Sequence, residues 1–204
     1  MNKNFNRILA LCMALVMCFS LTAFASAAEI TADGGSATSN VTLSSTADGS
    51  LNGDSAATAM SVTVPTVLPI AVGTDGTVTT ATDAKIINNS FGAVKVDSVT
   101  IDAARNWYLT AFGDKSTLAH EKVDSNKFGF AISIGGGAQK ATNASDAASQ
   151  QLISSAIDGC YLSGCGDTAS NFVAIDYDAI VTPVSTAVTN TSVASVLFVI
   201  SWDK

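Results

Sequence analysis

Phe128, Phe130, Ile132 and Ile134 alternate without error against Gly129, Ala131 and Ser133. A period of two puts the four large side chains on one side of an extended chain, where a helix would scatter them around its circumference. The segment predicts a strand with one buried face, and such a face needs other elements to cover it. Weaker versions of the pattern recur. The run 93–101 carries Val94, Val96, Val99 and Ile101 with one slip in phase, which predicts a bulge near Asp97 and Ser98. Phe172–Val181 and 193–202 read as two closing strands. The second is partly apolar on both faces, which suits a central strand closing a sandwich.

Shorter signals fill the gaps. The pieces 60–64 and 67–72 are broken at Pro65, as at a sheet edge or bulge, because proline cannot donate to a ladder. Thr74, Asp75, Gly76 and Thr77 supply a turn, and 78–80 begins a return strand, so a hairpin is expected. The run 84–88 precedes the polar turn 89–92, and 106–112 places Trp107, Leu109 and Ala111 on one face. Residues 145–157 include Ala147, Ala148, Gln150, Gln151 and Leu152, a composition that suits a short helix. Thr and Val are abundant, and Gly, Asp, Asn and Ser separate the runs. The expected fold is mainly β, an antiparallel β-sandwich of about nine strands with that one short helix.

The N-terminus sets the compartment. Lys3 and Arg7 precede an apolar run from Ile8 to Phe24, and Ala25, Ser26 and Ala27 form a small-residue exit. This is the pattern of a secretory signal peptide over 1–27. Cys12 and Cys18 follow Leu11 and Met17, which do not suit lipid attachment, so both leave with the leader. Losing Lys3 and Arg7 takes the formal charge from −7 to −9. An acidic chain with scattered basic residues is a poor electrostatic partner for nucleic acid or an anionic membrane. Residues 28–58 are rich in Ser, Thr and Gly, with one alternating run at Asn40, Val41, Thr42, Leu43 and Ser44. That run is either a first strand or part of a loosely held stretch, and the segment 28–58 as a whole is a possible first strand or one donated to a neighbouring subunit. The main domain is expected over 59–204.

Chemistry-bearing patterns are sparse. Cys160 and Cys165 bracket Tyr161, Leu162, Ser163 and Gly164, and in an exported protein such a pair is most simply a loop disulfide. The single histidine, His120, reads as an exposed loop side chain, and there is no second cysteine pair to complete a zinc set. Gly53, Asp54 and Ser55 do not form a nucleophile elbow. Asp48–Asp54 begins like a calcium loop, but Ala59 stands where the bidentate acid is required. Gly135, Gly136 and Gly137 lack the Lys and Ser or Thr of a phosphate cradle. No catalytic, cofactor-binding or metal site is expected, and no cofactor.

Trp107, Tyr108 and Leu109 at mid-chain, with Ser201 and Trp202 in the last strand, resemble the paired motifs of the WxL domain of Gram-positive surface proteins, with Ser201 in place of the usual threonine. The resemblance runs in order through the signal peptide, the Ser/Thr-rich leader, the VTVPTVLPI segment and the two tryptophan strands. It implies a non-enzymatic cell-surface protein that binds peptidoglycan or other surface proteins, with Trp107, Leu109 and Trp202 as candidate wall-binding residues. Two alternatives stay open: a subunit of an extracellular fibre assembled by strand donation, and a small secreted carbohydrate-binding module. Self-association follows from the first.

Overall fold

The alternating run at 128–134 becomes the middle of the larger sheet. The computed structural model describes residues 58–143 and 146–204, whose compact unit is Ala59–Lys204. The leader 1–27, the run Asn40–Ser44 and the turn 48–54 lie outside the described residues. Twelve strands follow in chain order: β1 (Val62–Thr63), β2 (Ile70–Val72), β3 (Val78–Thr80), β4 (Lys85–Asn88), β5 (Val94–Ala103), β6 (Tyr108–Leu109), β7 (Lys127–Ile134), β8 (Lys140–Ala141), β9 (Ser149–Ile153), β10 (Tyr161–Leu162), β11 (Phe172–Val181) and β12 (Ala194–Trp202). The three strands beyond the expected nine are β8, β9 and β10: β8 and β10 are two residues long and carry no period of their own, and β9 falls where a helix was expected.

The strands form three sheets. One runs β1-β4-β11-β7-β6, with β8 also on β7; a second runs β10-β5-β12, with β9 also on β5; β2 and β3 form the expected hairpin. Pairing is antiparallel except between β6 and β7. The helix expected near 145–157 is not there. Instead β9 pairs its backbone with β5, Thr100 opposite Gln151 and Asp102 opposite Ser149, so tertiary pairing overrides the helical propensity of Ala and Gln. The bulge falls where the phase slip put it: Val199 faces Ser98 and Ile200 faces Val96, leaving Asp97 as the extra residue.

One core joins the two larger sheets. Ile86, Ile132, Ile175 and Tyr177 enter it from one, and Val94, Val96, Val99, Ile101 and Leu162 from the other. β7 differs from expectation, because Gly129 and Ala131 are buried along with the phenylalanines. A Cβ on Gly129 would lie 2.7 Å from Ile180, so the second face is closed by that neighbour. The β2–β3 hairpin is tied down by Tyr177, whose hydroxyl donates to the Pro69 carbonyl at 2.7 Å and accepts from the Ala81 N–H.

Candidate functional site

β12 is an edge strand, against the expectation of a central one. Its only partner among the described residues is β5, Ala194 opposite Ala103 and Trp202 opposite Val94. Its two apolar sets therefore need a different account. Val196, Phe198, Ile200 and Trp202 point toward the core but are only half-buried, whereas Val94, Val96, Val99 and Ile101 on the adjoining β5 are fully buried. On the outer face Leu197 is 57 % exposed and Val199 44 %. No charged residue and no proline interrupts the nine residues. Natural edges are normally blunted by charge, proline, a bulge or brevity, because an open row of N–H and C=O groups recruits another strand. β12 has none of these of its own, since the extra residue of the bulge, Asp97, belongs to β5.

The surroundings fix one end of that edge. The Asp203 N–H donates to the Ala93 carbonyl, and a Cβ on Gly92 would sit 2.9 Å from the Trp202 ring, so Trp202 packs against the β4–β5 turn. The same turn receives the start of the domain. The Ser61 N–H donates to Ser90 Oγ at 2.8 Å, and the Asn89 N–H to the Ser61 carbonyl. Asn88, fully buried, holds the turn: its amide donates to the carbonyls of Gly92 and Ser163, and its Oδ1 accepts from the Ser90 N–H. The chain thus enters the domain beside the end of β12.

The residues singled out from sequence scatter. Leu109 is fully buried, and Trp107 and Trp202 are half-buried against the core. Trp202 lies at the Val94 end of β5, and Trp107 lies beyond its Ala103 end. At ~3.3 Å per residue the two indoles stand on the order of 30 Å apart, so they do not share a site. The expected Cys160–Cys165 disulfide is not formed; both thiols are free. Cys160 continues the inward row of β10, with Tyr161 out and Leu162 in, and burial pushes its thiol pKa up. Cys165 lies exposed on the loop beyond. His120 is exposed, and Gly135–Gly137 form the β7–β8 turn against the Asp158 and Gly159 backbone.

A cleft of about 650 Å³ opens beside the hairpin, lined by Thr77, Asp114, Lys115, Gln139 and Asp178, with Phe112 its only aromatic. At its rim Asp75 accepts from the Thr77 hydroxyl and N–H and pairs with Lys115 at 3.3 Å; these hydrogen bonds, the Thr77 hydroxyl foremost, bring its pKa down to about 2. Elsewhere in the loops, the Ser185 hydroxyl and N–H hold Asp124 below the usual carboxylate range. Asp75 ties the hairpin turn to Lys115, and Asp124 ties its loop to the segment after β11. Among the described residues no group of three or more His, Cys, Asp or Glu is placed to hold a metal ion. No helix among them is long and apolar enough to cross a membrane. Comparison with family models, curated proteins and solved structures gives no match. Sequence reasoning missed the β12 edge as a site; its signal was the uncharged run 194–202 with apolar residues in both phases.

Proposed function

We propose that this chain is an exported, non-enzymatic protein of the cell surface or wall, a two-sheet β-sandwich that associates with peptidoglycan or other surface components by its own folded surface. The observation that carries the reading is the β12 edge: nine uncharged residues with one unpaired backbone row and Leu197 and Val199 turned to solvent. A monomer working alone in water gains nothing from that combination, and an edge that receives another chain needs both parts. The signal-peptide pattern at 1–27 and the acidic mature chain fit the compartment, and the WxL resemblance fits the class.

The test is direct. Residues 28–204 are mixed with purified peptidoglycan sacculi, the sacculi are pelleted at low speed, and the supernatant is imaged by negative stain. Retention in the pellet, lost in a Leu197→Lys, Val199→Lys variant, is the expected result. A chain that stays monomeric in the supernatant with no bound component contradicts the reading.

A further inference from the structure

Resting on the reading that the β12 edge is the working surface, we infer that its occupant is the segment Asn40–Ser44 of a second copy of this chain, added antiparallel to β12. Three observations meet. The inward side chains of β12 are only half-buried while those of β5 are closed, so the core stops one strand short on this side. The chain N-terminal to the described unit holds a five-residue run whose Val41 and Leu43 fall in one phase and Asn40, Thr42 and Ser44 in the other. Laid on β12, Val41 and Leu43 extend the row of Val196, Phe198 and Ile200. Neither 34–47 nor 194–202 carries a charge, so no like-charge repulsion opposes the pairing.

Geometry selects a second copy. The chain enters its own domain at the Trp202 end, since Ser61 is bonded to Ser90 and Asp203 to Ala93 on one turn. Residues 40–44 returning directly to their own β12 would arrive from that end and run parallel to it, and an antiparallel return would spend about 30 Å of the 45–58 stretch doubling back along the strand. One arriving from a copy stacked beyond the Ala194 end runs antiparallel, as every neighbour in that sheet does. The stretch 45–58 spans at most ~45 Å when extended, enough to cross from one domain to the next. Donor and acceptor lie at opposite ends of the domain, so the contact is head-to-tail and does not close.

Complementation of two defective chains tests this. In residues 28–204, Val41→Pro with Leu43→Pro removes the donor, because proline cannot join a ladder, and Leu197→Lys with Val199→Lys blocks the acceptor edge. The parent assembles into oligomers that grow with concentration in light scattering. Each variant alone is monomeric. Mixed one to one, they form a heterodimer and nothing larger, since one intact leader and one intact edge remain. A mixture that stays monomeric overturns the inference, as does a donor variant that assembles like the parent. A second measurement guards against misfolding of the acceptor variant: a labelled peptide of residues 37–47 binds the donor variant, and a scrambled peptide does not. Equal binding of both also overturns it. If the donor variant still pellets with sacculi while the mixture stays monomeric, strand donation fails and the surface-binding reading stands.

Discussion

Replacing Asn88 with alanine removes the hydrogen-bonding centre of the turn where the domain begins and β12 ends. Three bonds go at once: the amide to the carbonyls of Gly92 and Ser163, each 2.8 Å, and Oδ1 from the Ser90 N–H at 2.9 Å. Asn88 is fully buried and Ser90 2 % exposed, so water does not readily replace them. At roughly 1 kcal/mol net per bond, with partners left stranded, the cost is about 3 kcal/mol. For a domain of this size that is a fall in Tm of roughly 10 °C. The neighbouring Asn89 supplies the control. Its side chain makes one exposed bond to Thr63 Oγ1, and Asn89→Ala should stay within about 0.5 kcal/mol of the parent. Urea unfolding followed by tryptophan fluorescence measures both, since Trp202 packs on the same turn. An Asn88→Ala loss below about 1 kcal/mol, or one equal to that of Asn89→Ala, refutes the latch.

Thiol counting separates Cys165 from Cys160: in residues 28–204 one thiol reacts quickly with a maleimide in the native state and the second only in denaturant, whereas no reactive thiol in either state would indicate a disulfide. Gly159 has φ +88° and a Cβ there would meet the Ile134 carbonyl at 2.1 Å, so Gly159→Ala should cost on the order of 3 kcal/mol or more by urea unfolding; a loss under 1 kcal/mol contradicts that packing. Asp75 titrates lower folded than the ordinary aspartate value of 3.8, so the stability it supplies is complete above that value and is lost as pH falls toward 2. The Tm difference between parent and Asp75→Asn should therefore shrink as pH drops from 5 to 2, and a difference that holds constant or grows removes this role for the hairpin lock.

Long alternating runs were legible, and their contents were legible in detail. β11 matches its expected span, and the slip in 93–101 located the bulge at Asp97, because a phase change in an otherwise strict pattern has one geometric meaning. β9 was hidden, since Ala, Gln and Leu favour helix locally and only the waiting edge of β5 makes the segment extend. The cysteine pair misled because spacing along a chain does not report direction: Cys160 shares the inward phase of Leu162, and five residues later Cys165 has left the strand. The two tryptophan motifs are ordered along the sequence, yet β5 holds them at opposite ends. The most instructive departure is β12. Partly apolar residues in both phases suited a strand covered on both faces, and the structure leaves this one at an edge with β5 as its partner, its outward Leu197 and Val199 exposed.

Amide hydrogen exchange along β12 tests most directly whether this edge is the working surface. In free residues 28–204, the N–H groups of Ala194–Trp202 that do not bond to β5 should exchange quickly, alternating with protected ones. In the assembled or sacculus-bound protein, those same amides become protected while the β1 edge and the β2–β3 hairpin keep their free-state rates. Association that leaves the exchange of β12 unchanged contradicts the account.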